Sequence, residues 1–152
     1  MHNLRTAEVE TAGGLVEQKI RRNAHQAVVS GARTQEDADK ELGRWLTAKH
    51  KCIERIKLSC IDSSNITVWW PTDNPHLWGF ESAHRNLPYE TTVDTCECEA
   101  FKHGNPCWHR VAVAVLQACI RLRFEAGLPP IIEPKPRFSS AELAAAAAEL
   151  FG

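Results

Sequence analysis

The apolar positions of this chain change period twice, and the changes divide it. From Leu15, the residues Leu15, Val16, Ile20, Ala24, Ala27 and Val28 recur at roughly helical spacing. Ser30-Gly31 supplies a stop. Residues 1–14 precede this pattern and read as a polar tail ending in Gly13-Gly14. Thr34-Gln35-Glu36-Asp37 then offers a capping residue with acids in the first turn. Ala38, Leu42, Trp45, Leu46 and Lys49 share one stripe behind it, which predicts a second helix over about 34–50.

Alternation replaces this spacing in the middle of the chain. Ile56 to Cys60 and Ile66 to Trp70 alternate, and Asp62-Ser63-Ser64-Asn65 between them is turn-rich. Leu77 to Ser82 and Glu90 to Thr95 complete an expected antiparallel meander of short strands. From about Cys107 the helical period returns. His109, Val113, Leu116, Ile120 and Phe124 are predicted on one face, and Gly127 with Pro129-Pro130 ends the helix. Residues 128–138 form a proline-rich linker. Ser139 to Phe151 has high helix propensity but is too short to hold alone, so it is expected to dock as a C-terminal helix. The fold class expected is α+β, with a single domain over 15–127.

Composition narrows the function. The chain has 152 residues, 43% hydrophobic and 24% charged, which fits a globular domain. Eighteen Lys+Arg against 19 Asp+Glu leave a formal charge of −1, which excludes a histone-like nucleic-acid coat. The start lacks a basic segment followed by an apolar run, and Val111 to Ile120 is too short to span a bilayer. The expectation is a cytoplasmic or nuclear protein without a membrane partner. In such a compartment a tight Cys/His cluster points to metal ahead of disulfides.

That cluster spans residues 96–109. Cys96, Cys98, Cys107 and His109 make the pattern C-x-C-x8-C-x-H. Three thiolates and one imidazole are a complete tetrahedral set for zinc. Gly104-Asn105-Pro106 reverses the chain to return Cys107, and His109 falls in the first turn of the apolar helix. One ion would tie the meander to that helix. The rival readings are unrelated buried thiols, an iron–sulfur cluster and a catalytic zinc. CDGSH-type iron–sulfur proteins place their histidine four residues after the third cysteine, where Val111 stands here. Catalytic zinc keeps an open position that a fourth ligand closes.

The ligand pattern, Phe101 three residues after Cys98, the Gly104-to-Cys107 return and the helix starting at the histidine together resemble the SWIM-type zinc finger. The resemblance extends over about 55–125 and implies a short antiparallel sheet, a helix and one structural zinc at their junction. It also implies binding to DNA or to protein, in the setting of recombination, transposition or chromatin. Trp108 departs from the pattern, because family members often carry a small basic residue there.

The remaining residues sort into candidates and filler. Cys52, Cys60 and Cys119 lack partners at ligand spacing and read as core. His103 reads as an exposed loop residue, and Glu97 and Glu99 as solvated flanks of the thiolates. Lys102, Arg110, Arg121 and Arg123 could assemble a local phosphate-binding face around the helix. Arg21-Arg22 and Lys49, Lys51, Arg55 and Lys57 form smaller basic groups. On a strand, Trp69 and Trp70 would point to opposite faces, one of them free to stack a base or anchor a partner. The function expected is a zinc-binding accessory that binds nucleic acid, DNA ahead of RNA. The alternative is a protein adaptor using the 128–152 tail, and an enzyme or an iron–sulfur protein ranks behind both.

Overall fold

A computed structural model of the chain describes residues 4–61, 69–71, 76–80, 87–129 and 148, with residue 61 and residues 69–71 described by backbone alone. The first helix, α1, runs Thr6–Val29 and buries Val9, Ala12, Gly13 and Val16. Those residues fall at i, i+3, i+4 and i+7, one face of a helix. The expected polar tail is therefore corrected: from Thr6 onward it is the first two turns of α1, packed into the core. Gly31, with φ 78, makes the left-handed turn that a side chain would strain. The backbone N–H of Asp37 donates to Thr34 Oγ1 at 3.2 Å, the cap that the sequence predicts.

The second helix, α2, runs Gln35–Ile61 without interruption. The expected strand at 56–60 is thus helical. Ala48, Cys52, Ile56 and Ser59 are buried at helical spacing, whereas Leu58 is 52% exposed. Alternation over five residues was a coincidence of this spacing. Helices α1 and α2 are antiparallel neighbours: Lys49 Nζ meets Glu17 at 2.7 Å and Lys57 Nζ meets Glu10 at 2.5 Å. Gly13 allows their close approach, since a Cβ there would lie 2.7 Å from Ile53 Cδ1.

A small sheet follows, in the order β1 (Trp69–Pro71), β2 (Trp78–Phe80), β3 (Tyr89–Thr91), all antiparallel. Phe80 pairs with Trp69 on one side and with Tyr89 on the other. A one-turn helix, α3 (Glu99–Lys102), leads to the long helix α4 (Trp108–Glu125). The α+β class is as expected. The core lies where α1, α2 and α4 meet the sheet: Val9, Ile56, Phe80, Val113, Val115 and Leu116 are fully buried in it.

The face that α4 buries differs from the expected one. Ala112, Val115, Leu116, Cys119 and Arg123 turn inward, while Ile120 is 45% and Phe124 85% exposed. Packing against two helices widens the stripe near the start of α4 and rotates it toward α1 near the end. Strand residues 66–68, the linker from 130 and the expected C-terminal helix, residue 148 apart, lie outside the described residues. Among the described residues no helix is long and apolar enough to cross a membrane.

Candidate metal centre

The ligand loop is built from short-range backbone geometry. After β3, Thr92 N–H donates to the Thr95 carbonyl at 2.8 Å, and Cys96 bridges back to Thr91. Cys98 caps α3 in extended conformation and Cys107 caps α4 in the same way. Between them Asn105 N–H donates to the Ala100 carbonyl at 2.9 Å, and Gly104 takes φ 74. His109 is the second residue of α4, so the first turn of that helix presents its ring. The four donor atoms of Cys96, Cys98, Cys107 and His109 lie within 4.8 Å of one another, and all four residues are buried. Ligands about 2.3 Å from a tetrahedral zinc stand about 3.8 Å apart, so the four donors need only a small contraction to close on one ion.

The surroundings fix the ligands in turn. His109 Nδ1 faces Cys96 Sγ at 3.7 Å, which makes Nδ1 the coordinating nitrogen. Its ring is enclosed by Trp108 at 4.2 Å, Phe80 at 5.2 Å and Tyr89 at 5.5 Å between centroids. Thr91 Oγ1 lies 3.2 Å from Cys96 Sγ, close enough to donate to a thiolate. Hydrogen bonding from Cys107, helped by His109 and Thr91, holds the Cys96 thiol down at about 3. The same bond drives Cys107 upward, and burial raises Cys98. Zinc takes cysteine as thiolate, so its binding releases the protons that these thiols hold.

The nearby carboxylates are committed elsewhere. Glu97 Oε1 accepts from Glu90 N–H at 2.7 Å, and Glu99 pairs with Lys102 at 3.4 Å and His103 at 3.7 Å. His103 is exposed and outside the ligand set. Cys52 and Cys119 are fully buried and Cys60 partly so. Burial pushes Cys52 and Cys119 up to about 12 and Cys60 to about 11, which suits packing and not metal binding.

The expected basic face is largely dispersed. Lys102 is exposed beside Glu99, and Arg121 pairs with Glu125 at 3.2 Å. Arg110 is half-buried: its Nε donates to the Val93 carbonyl at 2.9 Å, and its guanidinium sits over Trp45 at 5.0 Å and Phe101 at 5.5 Å. Arg123 is a correction, being buried with its Nε 3.4 Å from Glu8 Oε2. Leu122 before it is half-buried and Phe124 after it is exposed, while Arg123 itself faces α1. Trp69 and Trp70 lie on β1, and their side chains are outside the described residues.

The family model of the SWIM zinc finger matches residues 89–118, from β3 through most of α4. No curated protein and no solved structure matches the chain. The family match and the four-donor geometry fall on the same residues. This chain therefore carries a SWIM zinc finger at residues 89–118, with Cys96, Cys98, Cys107 and His109 as the ligands of one structural zinc ion.

Proposed function

We propose that this protein is a non-enzymatic nucleic-acid-binding accessory, DNA ahead of RNA, acting inside the cell in the cytoplasm or nucleus. The observation that carries it is the closed, buried ligand set. Four protein donors leave no coordination position for water or substrate, so the ion's role is to fix shape. The shape it fixes is the start of α4, with Lys102 exposed beside it. Binding through phosphates must weaken with salt. The test is fluorescence anisotropy of labelled DNA and RNA with zinc-loaded protein between about 50 and 200 mM salt. Affinity that stays constant across that range argues against the reading.

A second reading, a protein adaptor in a nucleic-acid-processing complex, is favoured by a separate feature. A cavity of about 890 Å³ opens between α1, α2 and α4, and its lining includes Leu15, Leu42, Trp45 and Leu122. Clefts of that size and character accept a partner's apolar side chains. Leu42→Glu would block such a partner and leave zinc content unchanged. The 128–152 tail is the other adaptor element, and deleting it should weaken the same partner in a pull-down if both belong to one surface.

A further inference from the structure

The four basic residues 49, 51, 55 and 57 of α2 look equivalent in sequence, but the fold separates them. Lys49 and Lys57 turn toward α1 and pair with Glu17 and Glu10. Lys51 and Arg55 turn the other way and flank the indole of Trp108, at 6.0 Å and 5.2 Å from the ring centroid. Arg44 lies on the same stripe, at i, i+7 and i+11 with Lys51 and Arg55. All three are exposed. Among the described residues, none of the three meets a carboxylate. The stripe between them holds Thr47 and Ala48; Glu54, three residues after Lys51 and about 100° round the helix from Arg55, forms no ion pair with either among the described residues.

We propose that Arg44, Lys51 and Arg55 form a phosphate-binding stripe for a nucleic-acid backbone, with Trp108 as the positioning residue that holds its far end against the finger. This rests on the nucleic-acid reading and adds its location: the grip lies on α2, outside the zinc finger. The charge argument is direct. Lys102 and Arg121 at the finger each have a carboxylate beside them, Glu99 and Glu125, and Arg123 is buried. A π face holds a cation without cancelling its charge, so Lys51 and Arg55 keep their attraction for an anion. Trp108 itself is not a base-stacking platform. It stacks on His109 at 4.2 Å, and the two cations lie along its ring. The stripe is about 16 Å long, several phosphates of a strand.

The experiment measures anisotropy of a short labelled DNA duplex with zinc-loaded full-length protein in a salt series. Variants are Arg44→Gln/Lys51→Gln/Arg55→Gln, Trp108→Leu and, as a control on the same helix, Lys40→Gln. Each phosphate contact contributes about 0.9 to the slope of log affinity against log salt. The triple variant is expected to lower that slope by about 2.7, and Lys40→Gln to leave it unchanged. Trp108→Leu is expected to weaken binding at one bound zinc per chain, with a smaller loss of slope than the triple variant. A wild type that binds, with the slope unchanged in the triple variant, overturns the stripe alone. A wild type that binds neither this duplex nor labelled RNA overturns both the stripe and the nucleic-acid reading.

Discussion

Removing the carboxylate of Glu8 should cost more stability than removing the guanidinium of Arg123. The pair joins α1 to α4, with Arg123 Nε 3.4 Å from Glu8 Oε2 and side-chain exposures of 6% and 21%. Neither Nε nor Nη1 of Arg123, nor Oε2 of Glu8, has a hydrogen-bond partner among the described residues. Glu8→Ala strands a guanidinium that water barely reaches, at about 3–5 kcal/mol. Arg123→Met leaves a carboxylate with partial access to water, and about 1–3 kcal/mol is expected. Replacing both, as Glu8→Leu/Arg123→Met, removes the two desolvated charges together. The double variant should be neutral or up to about 2 kcal/mol more stable than wild type, because a poorly satisfied ion pair is worth less than apolar packing. Urea unfolding of zinc-loaded protein measures all three, provided the m-value is unchanged. Glu8→Ala costing under about 1 kcal/mol, or a double variant as unstable as the sum of the singles, would refute the reasoning. The result also guards the binding assays, since an Arg123 variant would lose affinity by unfolding.

Three further expectations follow from the same geometry. Gly14→Ala should stabilise by about 0.5–1 kcal/mol, because Gly14 is exposed in mid-helix with open space around its Cβ, whereas Gly13→Ala should stabilise less, because the terminal methyl of Ile53 must turn aside for the new Cβ; paired urea midpoints decide the order. Cys107→Ser should lose zinc and with it the order of the finger, since structural zinc contributes on the order of 10 kcal/mol, while Cys119→Ser should keep one zinc and cost about 1–3 kcal/mol; metal analysis beside the melting curve separates them. Stability should fall as pH rises above 9, because Cys52 and Cys119 stay protonated up to about 12 when folded but ionise near their ordinary value of 9.0 when unfolded; the decline should be shallower in Cys52→Ala, and an identical decline would count against the burial argument.

The metal site was legible because it is local. Its four ligands sit within residues 96–109, and turn residues and caps alone bring them together. The helix after it was legible too, though not its rotation: Phe124 fits the stripe that starts at His109 but stands outside the core, because α1 approaches from the other side. The start of α1 was hidden by Gly13-Gly14, which resemble a linker until Ile53 is seen against Gly13. Ile56 to Cys60 satisfied both periods, and only the continuation from Cys52 decides for helix. Charge was the least legible. Which lysines of α2 find glutamates depends on a neighbouring helix that no local pattern specifies.

Trp108 occupies a position with an optical consequence. One indole touches the ligand His109 at 4.2 Å and also borders Lys51 and Arg55. Loading of the ion would reorganise the imidazole beside it, and arrival of an anion would withdraw cations from its ring. The protein thus carries a built-in emission probe placed between both events. Retaining Trp108 while changing the other four tryptophans, Trp45, Trp69, Trp70 and Trp78, to Phe would isolate its signal and let metal and ligand occupancy be followed without a label.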